Sequence, residues 1–593
     1  MKKEKKMAKL KSFVTSHYII ILICLFLLLG VVIPLCGVQT FLGHDVYFHM
    51  TRMEALAQEI EAGNIPARLY YFVYEGYGYA SPMFYGDLFL IIPALLILCG
   101  VSMPLAYKAF MIICVCACVL VAYYCGKKIF GTKASGVCFA FTYAVSSYFA
   151  VDVFTRAAVG EMQAFIFVPL AFLGLHSILN DEGKHWYFLP IGLAAVLLSH
   201  LITSVMTAFF LLVYALLHSA KIYKKPVKIA AIAGCAVVFV LISASFLLPM
   251  VEQLADTKFL STDGSSATIF GTMEQRSMTL RQLFSLFNLG ESRDFWIPNG
   301  IGYLPLILVV FRLFVLRKQK FCMGDAFLIV SNVCLFMISG MFPWEKEFFQ
   351  SLLGTMQFPW RIMLFATLFL ALAATDYCRR IEKQDVAVYT CLVCVVGICA
   401  FGSVFVPRYK IYADYEKNNQ EVIYYKGNNI GYNIGTGEYL PSGTSRQQLL
   451  YRGNVIRTDG DNLKFTQEKN GDIYVPVKYN HKTGTYMDLP LINYKGYTAT
   501  FTDVDGNVTP MEVFYGDDNV VRLYLKDIKA DGTIHVTYSG TAIQHVSFVL
   551  NVISVIALAA WVIYSAVKEA RIRSRRNIPA QAATVLSDEA PQE

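Results

Sequence analysis

The stretch from Leu88 to Lys133, LFLIIPALLILCGVSMPLAYKAFMIICVCACVLVAYYCGKKIFGTK, decides how this chain is read. Its second half, about Leu105–Cys125, is an apolar run long enough to cross a bilayer, and Lys127, Lys128 and Lys133 follow it. Its first half, Leu88–Cys99, is short and is interrupted by Pro93. Were both halves spans, the lysines would face outside, against the tendency of basic loops to stay in the cytoplasm. Residues 84–100 therefore read as a re-entrant or surface helix, and residues 105–125 as a span running inward.

The rest of the chain obeys the same rule. Of 593 residues, 56% are hydrophobic and 16% charged, a balance too apolar for a soluble protein of this size. The lysine-rich start and the apolar run Tyr18–Leu42 read as a retained anchor with its N-terminus in the cytoplasm. Further apolar runs follow at Ala134–Phe149, Gln163–Leu179, Trp186–Ser199, Ile202–His218 and Val227–Met250. Gly300–Leu316, Ala326–Phe342, Arg361–Asp376 and Val386–Val406 continue the series, and residues 546–567 close it. The clusters Lys221/Lys224/Lys225, Arg317/Lys318/Lys320, Arg379/Arg380 and Arg571/Arg573/Arg575/Arg576 all fall on one side.

The predicted class is a polytopic α-helical membrane protein of about twelve spans with both ends inside and a small β-rich extracytoplasmic domain. Its transmembrane module covers residues 1–406, with external loops at 43–104 and 251–299; the basic tail is 568–593. Residues 407–545 lack any spanning run and alternate at Ile473–Val477, Tyr497–Phe501 and Val521–Leu525, which predicts strands. Asp503 and Asp505 beside Gly506 read as a β-turn, since the full calcium-loop spacing is missing.

The net charge of +8 sits in short inter-span clusters, so topology explains it and a nucleic-acid partner is not expected. All 15 cysteines precede residue 400, and Cys114, Cys116 and Cys118 fall inside an apolar run, which suits packing better than a metal site. There is no Walker loop, HExxH or paired CxxC.

Chemistry concentrates in the expected external loops. Gly43 to Arg52 puts Asp45, His44, His49 and Arg52 beside the membrane; if helical, Asp45, His49 and Arg52 share one face at i, i+4 and i+7. A carboxylate set among cations there could activate a hydroxyl near a lipid phosphate, or the stretch could be an interfacial helix with solvated charges. The tyrosine- and glycine-rich residues 70–79 suit an interfacial surface or a carbohydrate platform. Further candidates are Arg156 with Glu161, as a reactive pair or a surface salt bridge, Ser199-His200, and Arg361 within Gln357-Phe358-Pro359-Trp360-Arg361. An arginine opposes the dipole of a helix start, so an anion beside Arg361 would be welcome. Lys258, Arg276, Arg281 and Arg293 add cations in the second loop.

His44-Asp45-x-x-x-His49-x-x-Arg52, Ser81-Pro82-Met83-Phe84-Tyr85-Gly86, Arg156-x-x-x-Gly160-Glu161, Ser199-His200, the Gln357–Arg361 element and Gly437-Glu438-Tyr439-Leu440-Pro441 together resemble one group. These are the bacterial integral membrane proteins labelled "6-pyruvoyl-tetrahydropterin synthase-related", similar to YfhO-like proteins of the GT-C glycosyltransferase superfamily. The resemblance implies transfer of a sugar from a polyprenyl phosphate to an extracytoplasmic glycan, polymer or glycolipid, with Asp45 as general base. Glu161 then matches a second acidic position, a metal ligand or an acceptor contact. Arg156, Arg361 and His200 would neutralise the lipid phosphate, while His44, His49 and Arg52 orient Asp45 or touch the donor. The loop that carries Glu161 has no Asp-Asp or Asp-x-Asp pair, so no cofactor is implied beyond a possible divalent metal. The other readings are a transporter or flippase of lipid-linked saccharide and a non-enzymatic envelope-assembly protein.

Overall fold

The computed structural model describes residues 43–263, 272–284, 300–382, 434–435, 437–480 and 484–576, with residues 29–30, 32–33, 35–36 and 395 besides. The expected runs at 18–42 and 386–406, Arg293 and the tail beyond 576 lie essentially outside the described residues.

The principal helices are α1 (Val46–Glu61), α2 (Met103–Phe130), α3 (Val159–Asn180), α4 (Phe188–Ser199), α5 (Leu201–Leu217), α6 (Met363–Glu382) and α7 (Ala542–Arg576). Among the described residues four helices are long and apolar enough to cross a membrane, or six if each of two bent pairs is one span. The helix over Leu88–Leu98 is too short to cross, rising about 16 Å against a hydrocarbon core of about 30 Å. α2 begins with Pro104 in its first turn and ends at Gly131, whose φ of +88° suits the left-handed residue after a helix.

Small residues permit close approach between helices. A Cβ on Gly174 of α3 would lie 2.1 Å from the Leu189 nitrogen of α4, and one on Gly192 would lie 2.5 Å from the Ala171 nitrogen. The spanning stretch of α6 is 100% buried and that of α7 only 6%, so α6 runs through the centre of the bundle and α7 along its periphery.

Two runs expected to be continuous are broken. Lys133–Ala144 and Ser147–Thr155 meet at 50°, because Ser146 caps the second piece by accepting the Phe149 N–H (3.3 Å). Val227–Ile242 and Ala244–Asp256 meet at 78° around Ser243. Pro249 lacks the N–H that would bond the Ser245 carbonyl; Arg68 Nη1 donates to that oxygen instead (2.8 Å). Pro169 inside α3 frees the Phe165 carbonyl in the same way, and the Tyr143 hydroxyl donates to it (3.0 Å).

The later chain forms two antiparallel sheets of nine strands, β1 (Arg457–Thr458), β2 (Thr466–Gln467), β3 (Ile473–Val477), β4 (Tyr486–Ile492), β5 (Tyr497–Asp503), β6 (Val508–Met511), β7 (Phe514–Tyr515), β8 (Val520–Tyr524) and β9 (Gly532–Tyr538). Their orders are β1-β4-β8-β7 and β2-β3-β9-β5-β6. Asp503 is a turn residue, its Oδ1 accepting the Asp505 and Asn507 N–H groups (2.9 and 2.8 Å).

Both sheets sit on the tyrosine-rich loop. Ile492 N donates to the Tyr77 carbonyl (2.9 Å), Tyr77 OH to the Gly453 carbonyl (2.7 Å) and Gln467 Nε2 to the Gly76 carbonyl (2.8 Å). Tyr70, Tyr74, Tyr77 and Tyr79 are consequently buried. They form a bed for the sheets, not the open carbohydrate platform the sequence suggested, because their apolar rings are covered when the later strands fold back.

Candidate active site

Asp45 occupies the N-cap of α1, where an aspartate ordinarily accepts from the helix's own first N–H groups; here its side chain makes no cap hydrogen bond. The segment before it is fastened elsewhere. His44 N donates to the Thr155 carbonyl (3.2 Å), Asp45 N to the Arg156 carbonyl (2.9 Å), and a Cβ on Gly43 would lie 2.4 Å from that of Ala157. The first loop is thus clamped onto the turn that carries Arg156.

That turn holds a buried charge network. Arg156 Nη1 donates to Asp152 Oδ1 (2.7 Å) and Glu161 Oε2 (2.6 Å), and the Tyr148 hydroxyl donates to Glu161 Oε1 (2.6 Å). Arg156 and Glu161 are 5% and 1% exposed, so the pair is no surface salt bridge. Arg361 comes from the 3-10 turn leading into α6; its Nη1 donates to the Met356 carbonyl (3.0 Å) and Gln357 Oε1 (2.7 Å), and its Nε lies 3.6 Å from Glu161 Oε2.

Gly160 explains the spacing of its motif: a Cβ there would meet the Tyr85 hydroxyl at 2.0 Å and the Ser199 carbonyl at 2.7 Å. Three stretches therefore touch at one backbone position. The Tyr85 ring in turn faces His200 (5.8 Å between centroids), His49 (6.0 Å) and the Arg52 guanidinium (4.0 Å).

The electrostatics sort these groups. Burial raises the Asp45 carboxyl above its ordinary value; the Arg156 and Arg361 guanidiniums pull it back, and Glu438 and Glu161 push it further up. Asp45 nonetheless stays partly exposed, so a basic carboxylate remains reachable. His200 accepts the Thr203 N–H at Nδ1 (3.3 Å), capping α5, and burial with Arg361 nearby lowers it to about 3. A neutral imidazole brings no charge to a phosphate, but its Nε2–H can still donate. Burial and Arg52 hold His49 well below its usual value, so it too is neutral. Arg52 Nη2 is committed to the Tyr85 and Gly86 carbonyls (2.8 Å each), fixing the loop.

The sequence thus pointed to His44, Asp45, His49, Arg52, Arg156, Glu161, His200 and Arg361, and the fold brings all eight into one cluster or its immediate support. It also adds Tyr85, Tyr148, Asp152 and Glu438. Asp152 had a signal, lying four residues before Arg156; Glu438 had none beyond its motif. Arg281, by contrast, is exposed on its own segment. No group of three or more His, Cys, Asp or Glu among the described residues is arranged to hold a metal ion; Arg156 takes one oxygen each of Asp152 and Glu161, and Asp152 Oδ2 has no partner among the described residues.

A polytopic helical protein with a buried acid–arginine cluster at the mouth of its apolar helices is the class these features define. The chain belongs to the family described as "Bacterial membrane protein YfhO", whose profile matches residues 74–426. It is 23% identical over 356 residues to an uncharacterised protein of Lactococcus lactis subsp. cremoris, matching 58% of this chain. The match spans 57% of that relative's length. Among solved structures it is similar to ArnT from Cupriavidus metallidurans bound to undecaprenyl phosphate, with 10% identity and a TM-score of 0.39 over 86% of this chain and 98% of that one. At that score the likeness carries no weight for fold or chemistry. The pterin-synthase label has no counterpart in these matches.

Proposed function

We propose that this protein is a GT-C-type membrane glycosyltransferase that moves a sugar from a polyprenyl phosphate to an acceptor hydroxyl on the extracytoplasmic face. The observation that carries the reading is the convergence of Asp45, Arg156, Glu161, His200 and Arg361, from four separate stretches, at one end of the helix bundle. α3 and α6 both begin at this cluster, and α6 ends about 30 Å away at Arg379 and Arg380. Basic residues at the far end support a cytoplasmic side there and the site outside, within a topology of about twelve spans.

In this reading Asp45 takes the proton of the acceptor hydroxyl as its oxygen attacks the anomeric carbon. The bond from that carbon to the phosphate oxygen breaks with its electron pair on the phosphate, and the anomeric centre inverts. Arg361 is the cation best placed to meet the departing phosphate, because its Nε has no hydrogen-bond partner among the described residues. Arg156 is already neutralised, so Arg156, Glu161, Asp152 and Tyr148 are positioning residues that hold Arg361 and the Asp45 loop in register. His200 contributes an N–H, and no step is routed through a metal.

Purified wild-type protein, reconstituted in lipid and offered radiolabelled polyprenyl-phosphate sugars with envelope-polymer acceptors, should release bare polyprenyl phosphate and label one acceptor. No transfer from any donor in the panel would sink the enzymatic reading.

A further inference from the structure

Glu438 is the acidic group at this site that the mechanism leaves unused. It arrives on the segment preceding the sheets, which is pinned on both sides. Ser261 N donates to its carbonyl (2.8 Å), and Tyr439 N to the Tyr79 hydroxyl (3.0 Å). The Tyr439 ring stacks on Phe84 (5.1 Å between centroids, 9° between planes), one residue before Tyr85. The position of Glu438 is therefore fixed by the same loop that walls the site.

Its side chain has no such anchoring. Among the described residues Oε2 is buried without any hydrogen-bond partner, pressed towards Gly435, where a Cβ would come within 2.6 Å of it. The residue is otherwise partly exposed, and its charge reaches Asp45. The Tyr74 hydroxyl, which a Cβ on the neighbouring Gly437 would approach to 3.4 Å, is likewise buried and without a partner among the described residues. Buried polar groups are nearly always satisfied, so a carboxylate and a phenol left bare beside a site call for an explanation in terms of what enters it. A carboxylate only accepts, so the complement is a donor; a phosphate would be repelled, whereas sugar hydroxyls fit.

We propose that Glu438 is the saccharide-binding carboxylate of this site, accepting hydrogen bonds from sugar hydroxyls next to Asp45. The assignment rests on the glycosyl-transfer reading and extends it: Asp45 and Arg361 meet the reacting bond, and Glu438 meets the sugar ring. The hydroxyls belong to the transferred sugar or to a saccharide acceptor, and binding separates the two.

The test is equilibrium binding by the full-length protein in detergent of three probes: bare polyprenyl monophosphate, the same carrier bearing a hexose or N-acetylhexosamine, and free envelope oligosaccharide. Glu438→Ala and the near-isosteric Glu438→Gln are compared with wild type. Glu438→Ala should weaken one sugar-bearing probe by roughly tenfold or more and leave the bare carrier unchanged, with Glu438→Gln between. Loss confined to the glycosylated carrier identifies the donor sugar, and loss confined to the oligosaccharide identifies the acceptor. Equal loss for all three probes, or no loss in either variant, overturns the assignment while leaving the transfer reading standing. A wild type that binds no polyprenyl carrier overturns the transfer reading and the assignment with it.

Discussion

The backbone N–H of Asp45 donates to the carbonyl of Arg156 at 2.9 Å, so the proposed base and the charge network behind it move as one piece. Gly43 makes this possible by approaching Ala157 too closely for any side chain. Gly43→Val should displace Asp45 by an ångström or so and lower sugar transfer about 10- to 100-fold, with donor binding and folding retained. Unchanged turnover would mean the clamp does not set the geometry.

Gly160→Ala should be more damaging, since its Cβ would meet both the Tyr85 hydroxyl and the Ser199 carbonyl. Removing that hydroxyl relieves the closer of the two clashes. Gly160→Ala/Tyr85→Phe should therefore recover part of the thermal stability and yield lost in the single variant, as read by fluorescence size-exclusion chromatography.

Arg156 and Glu161 are coupled deep in the protein. Arg156→Met leaves the Glu161 and Asp152 carboxylates uncompensated and should cost about 3–5 kcal/mol. Adding Glu161→Gln should restore part of this, so the double variant is less destabilised than the sum of the singles. Strict additivity in thermal melts would show that the two side chains do not interact.

Glu59 on α1 predicts a pH dependence of stability. It is 2% exposed and accepts from Tyr71 N and Asn64 Nδ2 (2.7 Å each), yet burial raises it from 4.5 to about 7. A carboxyl raised on folding stabilises the folded state below its ordinary value and loses that contribution as pH rises through about 7. The loss is on the order of 3 kcal/mol. The melting temperature of the wild type should fall between about pH 5 and pH 8.5 by several degrees. Glu59→Gln, which cannot ionise, should flatten that part of the curve.

Much of this architecture is legible because membrane physics writes it locally. A run such as Leu105–Cys125 followed by lysines needs no distant partner to be understood, and the i, i+4, i+7 face of Asp45, His49 and Arg52 follows from helical period alone. What the sequence hides is set by tertiary context. The breaks at Ser146 and Ser243 depend on who takes the freed backbone groups, as Arg68 does for Ser245. Tyr70 to Tyr79 read as exposed because the strands that cover them come some 400 residues later. His200 carries the residue type of a phosphate ligand, but capping α5 and burial leave it neutral. Tyr148 and Asp152 enter the site through a π-helical turn over Val151–Thr155 that no simple periodicity reveals.

The most direct measurement is single-turnover transfer of labelled sugar by wild type and Asp45→Asn at saturating donor, with donor binding measured in the same samples. Asp45→Asn should bind the polyprenyl-phosphate sugar within a few-fold of wild type while transfer falls about 100-fold or more. In the wild type the rate should rise with pH through an inflection above the usual carboxylate range, as the raised Asp45 carboxyl ionises. Transfer by Asp45→Asn at the wild-type rate would contradict Asp45 as the base.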